Sequence, residues 1–339
     1  MKVDGGIGFG RDIAANAQEA ESLGYDGLWS AETNHDPFLP LAIAATATER
    51  LELGTGIAVA FARNPMNLAV LANDLQTLSE GRFMLGLGSQ IKPHITKRYS
   101  MPWSHPAPRM RELILAMRTI WDCWANPGSK LAFRGEFYTH LLMTPMFDPG
   151  PNPFGNPKVF LAGVGELMTE TAGEVADGLL AHAFTTERYL HEVTIPALER
   201  GAAKAGKTRA DLETSYPGFV VTGTNDEQWE EAARATKAQI AFYASTPAYR
   251  AVLELHGWGE LQGELNALSK QGEWVAMGER ITDEMLETFA IVAPLGDVPT
   301  RIHERFDGLI DRFSFYLPYR VEGAQWASIL ESFRAVEQA

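Results

Sequence analysis

Eight short apolar runs, each separated from the next by a stretch of helical period, constrain this chain more than any single motif. The runs are VDGGIGF from Val3, GLWSAE ending at Glu32, LELGTGIAV from Leu51, RFMLGLG from Arg82, KVFLAGV from Lys158, GLLAHAF from Gly178, PGFVVTG from Pro217 and DRFSFYL from Asp311. Between them lie helical patterns such as AANAQEAESLG, PMNLAVLANDLQTLS, RMRELILAMRTIWDCW and LMTETAGEVAD, with Gly24, Gly81 and Gly206 placed as left-handed helix caps. Strands that alternate with helices pair in parallel. Eight such units, with no GxGxxG turn after the first strand, predict a closed (β/α)8 TIM barrel in preference to an open doubly wound sheet.

A chain of 339 residues fits one barrel domain, residues 1–339, provided the excess length sits in insertions. Two places break the regular beat. Around 127–157, Pro145, Pro149, Pro151, Pro153 and Pro157 preclude helix and suggest a strand pair followed by an extended crossing. Residues 226–293 read as helices rich in aromatics, among them Trp258 and Trp274, with the insertion proper at about 246–293. Long insertions at the face where barrel strands exit commonly cover an active site; extra packing or an oligomer interface is the rival use.

Composition narrows the partners. Lys and Arg number 29 against 43 Asp and Glu, a formal net charge of -14, so neither nucleic acid nor an anionic membrane is expected as the main partner. The opening MKVDGGIGFGRD lacks the apolar core of a signal peptide, and no run of about 18 apolar residues marks a membrane span. A cytoplasmic protein acting on a small organic molecule, as a homodimer or higher homo-oligomer, is the expectation. Cys123 is the single cysteine, set between Trp121 and Trp124, which excludes an internal disulfide and reads as a buried structural thiol. Neither HxH nor HExxH is present, and no GxSxG elbow, so metal hydrolysis and serine hydrolysis are not expected.

In barrels the reactive groups gather just past the strands. The second run exits through Glu32, Thr33, Asn34, His35 and Asp36, where an imidazole beside carboxylates suits acid/base work; a helix cap by Asn34 or Asp36 is the rival use. The third continues through Gly56, Ile57 and Ala58 towards Arg63. Gly86 and Gly88 in the fourth run mark close approach of another backbone or a ligand, or a bulge at a tight corner, and Ser89, Gln90, Lys92 and His94 follow. Gly163, Val164 and Gly165 lead from the fifth run into a helix, a geometry that cradles anions. The sixth exits through His182, Thr185, Thr186 and Arg188, which suit a phosphate, with helix capping at either threonine as the alternative.

The ordered series LELGTGIAVAFARNP, LQTLSEGRFMLGLG and KVFLAGVGELMTETAGEVADGLLAH resembles the bacterial luciferase-like monooxygenase superfamily, and within it the branch that uses the deazaflavin coenzyme F420. The resemblance runs over nearly the whole chain and implies a barrel whose strand-exit mouth binds a flavin or deazaflavin. It implies a cis peptide between Gly56 and Ile57, in a bulge with Ala58 behind the ring. Glu32 matches an acidic residue near the ring and Ser89 a hydroxyl residue that contacts the cofactor, with Gln90 and His94 beside it. Gly163, Val164, Gly165, His182, Thr185, Thr186 and Arg188 fall on the phosphate-side loops. Two positions depart from the glucose-6-phosphate dehydrogenases of the superfamily. Thr33 stands where their catalytic His follows the acidic residue, and Ile91 where they carry an acidic proton donor, so that activity is not expected.

The expected function is therefore F420-dependent hydride transfer between the deazaflavin C5 and an organic substrate. His35 is the first candidate for proton handling, with Glu32, Asn34 and His94 as alternates. An FMN-dependent monooxygenase and a non-catalytic flavin-binding barrel are the alternatives. The aromatic insertion points to a hydrophobic or ring-bearing substrate.

Overall fold

All eight runs are strands in the computed structural model, which describes residues 1–321 and 323–337. They are β1 (Lys2–Gly6), β2 (Gly27–Ser30), β3 (Glu52–Thr55), β4 (Phe83–Gly88), β5 (Lys158–Gly163), β6 (Gly178–Ala181), β7 (Glu213–Val221) and β8 (Arg312–Tyr316). They are ordered as in the chain, and β8 pairs back to β1, which closes a (β/α)8 barrel. Parallel registers join β1 to β2, β2 to β3, β3 to β4, β4 to β5 and β7 to β8. All six residues of β4 are buried, as a parallel strand covered on both faces requires. Gly24, Gly81 and Gly206 have φ of 89°, 90° and 69°, the left-handed caps expected of them.

Two strand limits differ by four residues from the sequence expectation, the others by three or fewer. β3 stops at Thr55, the chain pairs again with β4 only at Ala58–Val59, and the peptide between Gly56 and Ile57 is cis. β7 begins at Glu213, four residues before Pro217; the proline sits inside the strand opposite Ser314 of β8. A missing N–H made Pro217 read as a boundary, yet Thr214, Ser215 and Tyr216 ahead of it are buried strand residues.

Internal packing divides the chain into two compact units. One comprises residues 4–180 and 197–213. Its core sets Leu53, Leu85, Leu87, Val159 and Leu161 of the strands among Leu41, Leu68, Leu75, Met117 and Trp121 of the helices. Trp121 and Trp124 lie on the helix Pro106–Ala125, where the Trp121 indole donates to the Ala69 carbonyl at 3.1 Å. Cys123 is buried between them and its thiol faces the Ser129 carbonyl at 3.8 Å. Past this helix comes the expected strand pair, Phe133–Arg134 against Thr139–His140 in antiparallel register. The Glu112 carboxylate holds its turn by accepting from the backbone N–H groups of Glu136, Phe137 and Tyr138 at 2.8, 2.7 and 2.6 Å.

The other unit comprises residues 1–3, 181–196 and those from 214 onward. After β7 come the helices Asp226–Ala244, Arg250–Leu255, Leu261–Gln271, Trp274–Glu279 and Asp283–Phe289, then a short strand Ala290–Val292 parallel to the end of β7. Phe184, Phe219, Ile240, Leu253, Met277 and Phe289 form its core. Trp258 packs against that core, whereas Trp274 is exposed.

Candidate active site

The polar exits of β2, β3 and β4 meet at Glu32. The Ser30 carbonyl accepts from Gly56 N at 2.8 Å, and Glu32 N donates to the Ile57 carbonyl at 3.2 Å, so the interrupted third strand stays laced to the second. The Glu32 carboxylate, 7% exposed, accepts at Oε2 from Val59 N at 2.7 Å and from Arg63 Nη1 at 2.6 Å. Its Oε1 accepts from the Tyr99 hydroxyl at 2.9 Å. Burial and this bond to Glu32 raise the Tyr99 phenol above its ordinary range. A carboxylate with three donors is an anchor that sets the position of the Ile57–Val59 segment.

Its neighbours in sequence do other things. Asp36 Oδ1 accepts from Phe38 N at 2.8 Å and Leu39 N at 3.2 Å, which caps the helix Phe38–Ala47; the rival reading of this residue is the one realised. The Thr33 hydroxyl donates to Asn34 Oδ1 at 3.0 Å. Asn34 and His35 are exposed, and the His35 ring stacks on Phe9, itself 55% exposed, at 4.6 Å between centroids. His35 and Glu32 therefore point into different surroundings.

At the end of β4 the glycines are explained by protein. A Cβ at Gly86 would lie 1.8 Å from the Thr55 carbonyl oxygen, and one at Gly88 would lie 2.8 Å from Ile57 Cδ1. Thr55 also threads the ladder, since its hydroxyl accepts from Gly86 N at 2.9 Å and donates to Gly86 O at 2.7 Å. Ser89 donates to the Gln90 carbonyl at 3.2 Å, and Gln90 has a φ of 58° with its amide oxygen accepting from Ile91 N at 3.0 Å. His94 is exposed and opens the turn His94–Arg98, whose end is tied back when Tyr99 N donates to the His94 carbonyl at 3.0 Å. This turn delivers Tyr99 to Glu32.

β5 exits as expected: Gly163, Val164 and Gly165 lead into the helix Glu166–Val175, with Gly165 at its cap. A Cβ on Gly163 would press on Thr169 Oγ1 and N at 3.1 and 3.2 Å, whereas Gly165 is exposed with nothing within 4 Å of a Cβ built there. Met168 N and Thr169 N donate to the Gly165 carbonyl at 3.2 and 3.1 Å, and a helix start after such a glycine turn is a place that can receive an anion.

In the other unit, the exit of β6 is His182 to Arg188. His182 Nδ1 accepts from Phe184 N at 3.0 Å, which leaves the ring proton on Nε2, 3.3 Å from the Tyr249 hydroxyl. Burial pushes the His182 imidazole down to about 4, so it is neutral at physiological pH. Thr185 is 4% exposed, and its hydroxyl has no hydrogen-bond partner. Thr186 caps the next helical turn by accepting from Tyr189 N at 3.1 Å and bonds His256 Nε2 at 2.8 Å. His256 in turn stacks on Trp258. The Arg188 guanidinium is engaged by Glu192 at 2.8 Å and by the Leu255 carbonyl at 2.9 Å.

Tyr99, Tyr249 and His256 carry part of this geometry and were absent from the sequence-based candidates; none of them lies in an expected strand. Among the described residues, no three His, Cys, Asp or Glu side chains come together as metal ligands, and no helix is long and apolar enough to cross a membrane.

A family model described as luciferase-like monooxygenase matches residues 8–312. An uncharacterized protein of Mycobacterium tuberculosis is 56% identical over 92% of each chain. The 5,10-methylenetetrahydromethanopterin reductase of Archaeoglobus fulgidus is 29% identical, covering 84% of this chain and 83% of that one. Among solved structures, the coenzyme F420-dependent tetrahydromethanopterin reductase of Methanopyrus kandleri superposes with a TM-score of 0.77 at 21% identity, over 100% of this chain and 99% of the other.

Proposed function

Because the chain belongs to the luciferase-like monooxygenase family and is an enzyme of it, we propose that it is an F420-dependent oxidoreductase that exchanges a hydride with a small organic substrate. The observation that carries this reading is the glycine turn at the end of β5. Gly165 begins a ten-residue helix with no atom within 4 Å of a Cβ built there, which suits the phosphate-bearing tail of a deazaflavin. The F420 assignment draws support from the Methanopyrus kandleri reductase, whose name gives that coenzyme and which superposes over the whole chain.

When bound, the deazaflavin supplies hydride exchange at its C5. The residues that would hold it are the Gly56–Ala58 segment and Ser89 beside the ring, and Gly163–Gly165 at the phosphate. Glu32, through Val59, Arg63 and Tyr99, fixes the Gly56–Ala58 segment rather than moving a proton. Arg188, committed to Glu192 and Leu255, is not assigned to the cofactor.

The test is equilibrium titration of the purified protein with F420 and with FMN, followed by cofactor fluorescence. Saturable binding with preference for F420 is expected; preference for FMN would replace this reading by the monooxygenase one.

A further inference from the structure

The loops that leave β7 and β8 enclose a hollow of about 290 Å³ that the reading above does not use. It lies wholly within the unit that runs from residue 214 onward, and Thr222, Gly223, Gln228, Glu231, Tyr319 and Arg320 line it. Short-range bonds hold its walls. The Tyr319 hydroxyl donates to the Val220 carbonyl at 2.9 Å and accepts from Thr222 N at 3.2 Å, which ties the exit of β8 to that of β7 and brings Arg320, the next residue, to the hollow that Thr222 lines. On the helix side, Asn225 caps Asp226–Ala244 by accepting from Gln228 N at 2.9 Å, and the Gln228 amide oxygen accepts from Thr224 N at 3.0 Å. Glu231, three residues on, shares the Gln228 face of the helix. Gly223 admits this helix start, because a Cβ there would lie 2.9 Å from Trp229 N and 3.0 Å from Gln228 Cβ.

Three polar groups on the hollow lack partners. Thr222 is 2% exposed, and its hydroxyl makes no hydrogen bond. A buried hydroxyl left unpaired costs free energy that a ligand bonded to it recovers. Arg320 and Glu231 pair with no opposite charge, each other included, so their charged ends stand more than 4 Å apart on one hollow. Two opposite charges that share a cavity without closing on each other leave a gap with a positive and a negative end. A simple anion placed there is repelled by Glu231, and a simple cation by Arg320. A molecule that carries both charges meets neither penalty.

We propose that this hollow binds a small zwitterion of the amino-acid class, its carboxylate on Arg320 and the Thr222 hydroxyl and its ammonium on Glu231. The site uses none of the residues assigned to the cofactor and does not rest on that assignment. A guanidinium takes a carboxylate through two parallel N–H bonds, and the Thr222 hydroxyl has a proton to add as a third. Tyr319 keeps its two backbone bonds as a neutral phenol, since burial pushes it up to about 12. Both charged side chains are exposed, so each contact is worth little singly and millimolar affinity is expected.

Saturation-transfer NMR on the full chain tests this, with glycine, β-alanine and 4-aminobutyrate as zwitterions of increasing span and with propionate and protonated propylamine as the single charges. At least one of the zwitterions is expected to bind saturably, about tenfold or more tighter than either single charge. Arg320→Leu should weaken that binding about fivefold or more, and Thr222→Val, which keeps the shape of the side chain, about threefold. Glu231→Gln should pass the preference to propionate and Arg320→Leu to propylamine, a reversal that a loss of folding does not produce. The exposure of Glu231 and Arg320 keeps both variants folded, which circular dichroism checks. Zwitterions that fail to bind or bind no tighter than the single charges, an unchanged affinity in Arg320→Leu or in Thr222→Val, or an unaltered preference in Glu231→Gln overturns the proposal.

Discussion

The Tyr99 hydroxyl donates to Glu32 Oε1 at 2.9 Å across 67 residues of sequence, on the opposite side of the carboxylate from Arg63. The pair ties the turn after β4 to the exit of β2 and places the carboxylate that orients Val59 N. The worth of Glu32 follows from its burial: removing it strips Val59 N, the Tyr99 hydroxyl and Arg63 of their acceptor at once, leaving Arg63 only the Asp36 carboxylate at 3.5 Å.

Glu32→Ala should therefore destabilise the protein by about 3–5 kcal/mol, and Tyr99→Phe by about 1–2 kcal/mol, since Glu32 then keeps two donors. Urea denaturation followed by far-ultraviolet circular dichroism measures both. A Glu32→Ala protein that unfolds at the wild-type midpoint would show that the network anchors nothing.

Gly165→Glu puts a carboxylate where no atom stands in its way and where a helix start tolerates negative charge. Folding should be unchanged. Affinity for F420 should fall about tenfold or more, because the new charge competes with the phosphate for the same N–H groups. Fluorescence titration reads this, and an unaltered dissociation constant would remove the anion from the end of β5.

The buried His182 makes stability fall on the acid side of neutrality. Its folded-state value of about 4 lies below the ordinary 6.5, so the native state binds fewer protons than the unfolded one between these limits. Its contribution is complete above pH 6.5 and is lost as pH drops towards 4, by roughly 3 kcal/mol in all. His256, also lowered by burial and then by Arg188, loses stability on the same side. The difference between wild type and His182→Asn in unfolding free energy at pH 7.5, 6 and 4.5 isolates the His182 share. Parallel pH profiles for the two proteins would refute the assignment.

Thr186→Val removes a helix cap and the bond to His256 together, while keeping the shape of the side chain. A loss of about 1–2 kcal/mol is expected. Limited proteolysis should also cut faster near His256, where the Thr186 bond holds the end of the helix Arg250–Leu255. Equal cleavage rates would mean that other contacts secure this segment.

The strands were legible because their signal is periodic and local: apolar runs of the right length, spaced by helices that end in glycine. Pro217 misled for an equally local reason, since the missing N–H is visible in sequence while the strand partner that tolerates it is not. The cap at Asp36 was visible as a rival reading because it reaches only to Phe38 and Leu39. The network at Glu32 was half visible. Its charge could be read, but Tyr99 is brought to it by a fold that sequence proximity does not encode, and the same holds for Tyr243 and Tyr316, 73 residues apart. His35 shows the converse, being three residues from Glu32 yet packed on Phe9. At Gly86 the need for a small residue was plain, while its cause, the Thr55 carbonyl, became visible only with β3 and β4 side by side.

The lone sulfhydryl sunk in the helix Pro106–Ala125 gives the experimenter a clean background. A maleimide dye has no exposed thiol to attack on the native chain, so a reporter cysteine placed at Leu142, which is 76% exposed, will label at one address. Fluorescence from that address would follow the proline-rich insertion as ligands are added, without first engineering the natural cysteine away.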